Sequence, residues 1–318
     1  MSIDSWTGER LAFPPFETAF FLMSDEPWTV LRLLDWTTNY FKKKGSDSAR
    51  LDAEILLAHA RNCSRMELYT SFAEVPDDEQ RVAFREMVRR RGDGVPVAQL
   101  VGFKEFYSLK FRVDENVLIP RPETEYLVVE ALDVCKASRW GDRAIRIADV
   151  GTGSGAIAIT LAKHLPRAII TAIDQSEPAL AIARWNAAEH EVDERITFHQ
   201  GDLLDAIEDP RLFDLVCSNP PYVSQDEFDE LPETVRDHEP TEALVGGPTG
   251  TEIIDRLIRQ SVSRLEPAGR LILELSPMIA QACLETIVHA GYQDARLIKD
   301  LAGHQRVLSA KRPPVVDG

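Results

Sequence analysis

The sequence is short of positive charge, of cysteine pairs and of long hydrophobic runs. Against 52 Asp and Glu stand only 36 Lys and Arg, a formal net charge of -16. Holding a nucleic-acid backbone requires a basic face, so that class of partner is disfavoured. The one basic run, Arg89-Arg90-Arg91, reads as a solvated helix end favoured by the macrodipole. The four cysteines, Cys63, Cys135, Cys217 and Cys283, form no C-x-x-C pair and have no histidine spacing suited to zinc. They read as reduced, mostly buried thiols of a cytoplasmic protein. No apolar run approaches the length of a membrane span, and the N-terminus has neither the basic region nor the long apolar core of a signal peptide. Internal repeats and low-complexity tracts are absent too. A monomer with no metal, no membrane contact and no direct nucleic-acid contact is expected.

What is present divides unevenly. Residues 1–27 show no helical or strand period, and Phe13-Pro14-Pro15-Phe16 interrupts them. They read as an extension, residues 1–22 being either part of it or sequence upstream of a natural start at Met23. From Trp28 the pattern is helical, with Val30, Leu31, Leu34, Thr37 and Thr38 at three- and four-residue spacing and a stop at Lys42-Lys43-Lys44-Gly45. In the second helix Leu51, Ile55 and Ala58 face one way and Leu56 and Leu57 widen the stripe. Shorter helices follow, so residues 28–94 are expected to be a small helical bundle. Val97 to Val101, Phe103 to Phe106 and Leu109 to Val113 read as short strands, making a hairpin linker over 95–121.

Residues 122–312 then alternate strand and helix, which predicts an α/β domain with a mostly parallel sheet covered on both faces. Ile145 to Val150, Ile169 to Ile173, Ile196 to Gln200, Phe213 to Ser218 and Arg270 to Leu275 are the expected strands, with Ala295 to Ile298 and Val307 to Ala310 as edge strands. Residues 313–318 read as a tail.

The first strand runs into Asp149-Val150-Gly151-Thr152-Gly153-Ser154-Gly155. Its glycines let the backbone turn sharply and approach a ligand. The spacing is not the G-x-G-x-x-G of dinucleotide folds, and the P-loop lysine is missing, so phosphate binding is disfavoured. Asp174, ending the second strand, suits the two hydroxyls of a ribose. Asp202, after the third, suits an adenine amino group, with Leu203 against the ring. Together these positions outline a nucleoside without phosphates, which points to S-adenosylmethionine. At the end of the next strand stands Asn219-Pro220-Pro221-Tyr222. Two prolines present carbonyls but no N–H groups. With the Asn219 side-chain oxygen they make a row of acceptors suited to an –NH2 group.

The combination of Leu118-Ile119-Pro120-Arg121-Pro122-Glu123-Thr124-Glu125, the glycine turn and Asn219-Pro220-Pro221-Tyr222 resembles the protein N5-glutamine methyltransferases, the HemK family. The resemblance runs from about Trp28 to Lys311. Arg50-Leu51-Asp52-Ala53-Glu54-Ile55-Leu56-Leu57 resembles the branch that modifies peptide chain release factors, whereas the branch acting on a large-subunit ribosomal protein usually has Pro-Arg-Ser where this chain has Pro120-Arg121-Pro122. The resemblance implies a seven-stranded class I, Rossmann-like methyltransferase domain whose last strand is antiparallel. It implies as substrate the glutamine of the Gly-Gly-Gln loop of class I release factors. Gly151, Thr152, Gly153, Ser154, Gly155 and Asp174, with Asp202, Leu203 and Asn219, would bind the cofactor, and Asn219, Pro220, Pro221 and Tyr222 the glutamine amide. A tryptophan often follows the third-strand acid in this family; here Leu203 stands in its place.

The chemistry agrees. An amide nitrogen is a poor nucleophile, and two acceptors, Asn219 Oδ1 and the Pro220 carbonyl, would aim it and stabilise its developing positive charge. The Tyr222 ring would favour the cationic methyl. Positioning alone can supply about 7–11 kcal/mol. No histidine is needed as a base, so His164 and His199 read as surface or satisfied residues. Glu239-Pro240 and Arg236 are candidates for a lid. The helical bundle is the expected protein-recognition element, its acidity suiting a basic partner surface. The alternatives are glutamine methylation of a large-subunit ribosomal protein, the adenine N6-methyltransferases of nucleic acid, which also use Asn-Pro-Pro-Tyr, and a binding module that kept the fold without turnover.

Overall fold

The computed structural model describes residues 27–138, 143–207 and 209–312. The extension before Pro27, with the start expected at Met23, and the tail over 313–318 lie outside the described residues. The chain divides between Val101 and Gly102 into two compact units.

The first unit is helical. It contains α1 (Val30–Lys43), α2 (Ala49–Ala60), α3 (Arg65–Thr70), α4 (Asp78–Gly92) and α5 (Val97–Val101). Side chains start the helices as the sequence suggests. Thr29 Oγ1 accepts from Arg32 N, while Ser64 with Glu67 and Asp77 with Gln80 form reciprocal capping boxes. The core is Val30, Leu33, Leu34, Phe41, Ala53, Leu56, Leu57, Phe84 and Val88.

Three expectations are corrected here. Leu31 and Leu51 face solvent, because Leu33 and Leu56 take the inward positions. Arg91 is not a solvated helix end: its Nε donates to the buried Asp52 carboxylate at 2.9 Å, while Arg89 remains at the surface with Glu86 and Asp93. Val97–Val101 is a helix and not a strand. Pro96 opens it and accepts from Gln99 N and Leu100 N, and Val97, Leu100 and Val101 at i, i+3 and i+4 then meet the helical core.

The second unit begins with the hairpin β1 (Phe103–Phe106) and β2 (Leu109–Arg112), turned at Tyr107 and Ser108, both at positive φ. Then come α6 (Thr124–Ala137), β3 (Ile145–Val150), α7 (Ala156–His164), β4 (Ala168–Asp174), α8 (Glu177–Glu189), β5 (Ile196–Gln200) and β6 (Phe213–Ser218). A short ladder, β7 (Val223–Ser224), is followed by α9 (Gln225–Asp229), α10 (Glu233–Arg236) and its partner β8 (Val245–Gly247). The chain closes with α11 (Glu252–Arg264), β9 (Leu265–Glu274), α12 (Ala280–His289), β10 (Gln293–Lys299) and β11 (Gln305–Lys311).

Seven strands form one sheet in the order β10-β11-β9-β6-β3-β4-β5. Pairing is parallel from β9 to β5, and β11 is antiparallel to both its neighbours. Pleat alternation splits β3 between two layers. Ile145 and Ile147 pack with α6 and α7, whereas Ala148 and Val150 pack with α11 and α12. One strand differs from expectation. β11 is interior, with Val307 to Ala310 buried and paired to Leu271–Glu274, so only β10 and β5 form edges. The sheet's carboxyl edge brings the ends of β3, β4, β5 and β6 together, where an open α/β sheet binds ligands.

Candidate active site

The glycine turn after β3 is built from three left-handed residues, Gly151 (φ 71°), Gly153 (φ 55°) and Gly155 (φ 83°). The N–H groups of Gly151 and Thr152 both donate to Ile173 O, at 2.8 and 2.9 Å, pinning the turn to β4. The glycines serve different ends. A Cβ on Gly155 would lie 2.7 Å from Ile159 Cδ1 and 3.3 Å from Ala183 Cβ, so this glycine lets α7 and α8 pack. A Cβ on Gly153 would meet nothing within 4 Å, so the backbone there faces open space.

Thr152 and Ser154 are buried, and the Thr152 hydroxyl donates to Asp149 Oδ2 at 2.6 Å. Ala158 N donates to the same oxygen, while Asp149 Oδ1 is buried without a partner. Burial pushes the Asp149 carboxyl up to about 7 despite these hydrogen bonds.

Asp174, at the end of β4, faces the turn. Its Oδ2 accepts Gly153 N at 2.8 Å and its Oδ1 accepts Ser176 N at 3.0 Å. Burial raises its pKa, against the pull of those N–H groups. Asp202 lies in another setting: it is exposed and ion-paired to Arg256 of α11, a partner the sequence did not reveal. Leu203 follows at a left-handed φ of 52°, half-buried against the α11–α12 layer.

β6 delivers Asn219 beside the turn. Ser218 Oγ donates to Val150 O at 2.6 Å, locking the two strand ends together, and a Cβ on Gly151 would lie 3.9 Å from Asn219 O. Asn219 Nδ2 donates to Thr124 Oγ1 at 3.2 Å, so its NH2 is turned toward α6.

Pro220 is buried. The expected row of carbonyl acceptors is shorter than the sequence suggested. Pro221 O would come within 2.5 Å of a Cβ on Gly246, and Tyr222 O within 2.4 Å of one on Gly250. Those two carbonyls therefore point at the β8 segment, and glycine is required opposite them.

Tyr222 donates its hydroxyl to Glu274 Oε1 at 3.3 Å, and its pKa is raised well above the phenol range, by burial first and then by Glu274. Glu274 ends β9, is 1% exposed, and has Oε2 buried without a partner at bonding distance. Burial pushes its carboxyl up to about 7, opposed by the nearby Thr124 and Tyr222 hydroxyls. Glu239, a lid candidate, is buried against Ile119 and Arg121, whereas Arg236 lies at the surface with Asp237.

Thr124, Glu274, Gly246 and Gly250 were not singled out from the sequence. The one available signal was Glu274, an acid closing the apolar run Leu271-Ile272-Leu273. His164 and His199 stay outside the site; His164 Nδ1 meets Thr160 O and its ring meets Tyr107 edge-on. The four cysteines are free, three of them buried. Among the described residues no helix is long and apolar enough to cross a membrane, and no group of His, Cys, Asp and Glu could hold a metal ion.

Residues 32–102 match the PrmC N-terminal domain, and residues 127–235 match the methyltransferase small domain. The chain is 60% identical over 292 residues to the release factor glutamine methyltransferase of Rhodopirellula baltica, covering 91% of this chain and 98% of that one. The protein of the same name from Geobacter sulfurreducens is 37% identical over 91% of this chain and 99% of its own. Among solved structures, the hMettl16 catalytic domain matches with a TM-score of 0.51 at 16% identity, over 76% of this chain and 84% of that one, a likeness of fold. A class I methyltransferase sheet with a glycine turn, and identity at this level over 91% of the chain, lead to one conclusion: the chain belongs to the release factor glutamine methyltransferase family.

Proposed function

We infer that the protein transfers a methyl group from S-adenosylmethionine to the side-chain amide nitrogen of the Gly-Gly-Gln glutamine of class I peptide chain release factors. The observation that supports this most directly is the placement of Asn219. Its amide is held NH2-inward by Thr124 and so offers an acceptor oxygen, next to a glycine turn with open space at Gly153. The residues fit the cofactor. The Asp174 carboxylate is positioned for ribose hydroxyls, and the turn over 149–155 carries no lysine or arginine for a phosphate. The cofactor supplies an electrophilic methyl group on a sulfonium.

The chain's own residues hold the glutamine amide. Asn219 Oδ1 and the Pro220 carbonyl accept the two N–H bonds and fix the nitrogen's direction. Positive charge that grows on the amide nitrogen during methyl transfer would be stabilised by the same two acceptors. One N–H proton then leaves to water, which restores the neutral amide. Tyr222 shapes the pocket wall, its ring held by the Glu274 hydrogen bond. Asp202 contributes to the adenine end by exchanging its ion pair with Arg256 for the amino group, and Leu203 lies beside it. The helical unit recognises the folded partner.

The test is incubation with labelled S-adenosylmethionine and a release factor, wild type or with the loop glutamine changed to alanine. Label in the wild type alone is the expected result. No label in either, with label on a ribosomal protein or on nucleic acid in parallel reactions, overturns the reading.

A further inference from the structure

Asn219-Pro220-Pro221-Tyr222 leaves β6 with hydrogen bonds at its two ends and few means of holding its middle. At the start, Ser218 Oγ donates to Val150 O at 2.6 Å. At the end, Val223 N donates to Leu244 O at 2.9 Å, and Val223 pairs with Val245 in the β7–β8 ladder. Between those ties stand Pro220 and Pro221, which have no N–H to give. Backbone donors cannot fix the two proline peptides, so packing must.

The packing surface is the backbone of β8 and of the turn after it. A Cβ on Gly246 would lie 2.5 Å from Pro221 O, 2.8 Å from Gly250 O and 3.0 Å from Tyr222 Cα. One on Gly250 would crowd Tyr222 O and lie 3.2 Å from Ser224 N. Gly250 has a left-handed φ of 81°, which by itself favours glycine. Gly246 is not among the left-handed residues, so only the closeness of Pro221 and its neighbours excludes a side chain there. The turn is anchored in its own right. Thr249 N donates to Glu252 of α11 at 3.0 Å, and Ile254, Leu257 and Ile258 of that helix are buried in the core.

We propose that Gly246 and Gly250 are positioning residues: their bare backbone is the seat against which Pro221 and Tyr222 rest. Because the two prolines are stiff, the seat also sets where the Pro220 carbonyl and Asn219 meet the glutamine amide. The proposal rests on the reading above that those two groups aim the amide nitrogen. It gives two residues without side chains a part in the transfer.

The test compares Gly246→Ala with Gly269→Ala in the full chain. Relief of a 2.5 Å contact needs a backbone shift of about 0.5 Å or more. Positioning is sensitive on that scale, since a 1 Å error can cost about 100-fold. With a release factor as substrate, kcat for Gly246→Ala is expected to fall roughly tenfold or more, with the Kd for S-adenosylmethionine within about twofold of wild type. Gly269, in β9, is the matched control. A Cβ there would lie 2.9 Å from Glu266 O and 3.1 Å from Phe213 O and Asp214 O, at the opposite end of β6. Gly269→Ala is expected to lower the melting temperature and keep kcat within about twofold of wild type. A merely structural role would make kcat follow melting temperature in both variants.

A readout without turnover accompanies it: crystal structures of wild type and Gly246→Ala, superposed on β3 and β6. The Pro221 carbonyl is expected to move by about 0.5 Å or more. Gly250→Ala presses on the Tyr222 carbonyl instead and gives the same comparison if Gly246→Ala yields no folded protein. An unmoved carbonyl, kcat within about twofold of wild type in Gly246→Ala, or an equal kcat loss in Gly269→Ala overturns the proposal. A carbonyl that moves as expected in a protein that leaves release factors unlabelled upholds the seat and overturns only the substrate reading.

Discussion

Arg121 and Glu239 lie 118 residues apart in the chain and form one ion pair. The Glu239 side chain is 1% exposed, and its second oxygen accepts Ile119 N at 3.0 Å. The segment before α6 and the segment after Tyr222 are thereby stitched together, so the inferred substrate-binding tetrapeptide is braced from both sides.

Glu239→Ala strands the Ile119 N–H and leaves Arg121 without its carboxylate. Because Arg121 is a third exposed and can turn to water, the expected loss is about 2 kcal/mol, below that for a fully buried pair. Urea unfolding measures it, and limited proteolysis is expected to cut sooner between Tyr222 and Val245. A loss under about 0.5 kcal/mol, within the range of ordinary surface substitutions, would show that the pair does not brace the segment.

The glycine turn separates folding from binding. Gly155→Ala combines a left-handed φ with a 2.7 Å clash on Ile159, and should cost about 2–3 kcal/mol of stability. Gly153→Ala meets no atom and should cost about 1 kcal/mol of backbone strain. Its methyl group would stand in the open space assigned to the cofactor, so the Kd for S-adenosylmethionine is expected to rise more than tenfold. Calorimetric titration of both variants decides it, and equal cofactor affinity in Gly153→Ala and wild type would remove the ligand from that face.

Asp174→Ala removes the carboxylate that holds Gly153 N and that is assigned to the ribose. Loss of charge-assisted hydrogen bonds of this kind corresponds to roughly a 10- to 100-fold rise in cofactor Kd. Titration with S-adenosylhomocysteine, which lacks the methyl, should show the same rise, because the contact lies at the nucleoside end. A rise confined to S-adenosylmethionine would place Asp174 elsewhere.

Glu274 carries a stability cost with a defined pH window. Its folded pKa of about 7 lies above the ordinary 4.5. Between those values the folded chain keeps a proton that the unfolded chain has released, so stability falls as pH rises through the window. Glu274→Gln lacks this slope. Its stability relative to wild type should rise from pH 4.5 to pH 7 by up to about 3 kcal/mol, and then level off. Urea midpoints across that range measure the difference, and a gap that does not change with pH would contradict the buried, protonated acid. Asp149, raised in the same direction, keeps part of the slope in both proteins.

Much of this protein follows from local pattern. β3, α7, β5 and β6 begin and end where the sequence expects, because buried parallel strands are continuous apolar runs and helices repeat every three to four residues. The three glycines and the acid ending β4 announce a ligand turn through backbone conformation, which a few neighbouring residues dictate. Asn219-Pro220-Pro221-Tyr222 announces a set of acceptors through residue chemistry alone.

Tertiary structure decided what depends on distant partners. Leu51 is exposed while Asp52 and Glu54 beside it are buried, because Arg91, Arg50, Arg65 and Tyr69 converge on those acids. β11 lies inside the sheet because β9 and β10 both pair with it, although its apolar run is no longer than that of an edge strand. Most of all, the Asn219 amide meets Thr124, 95 residues earlier in the chain, through the hydrogen bond from its Nδ2. Backbone preference reaches only a few residues along the chain. Burial and hydrogen-bond polarity are properties of a packed neighbourhood, and they exist only once the chain has closed upon itself.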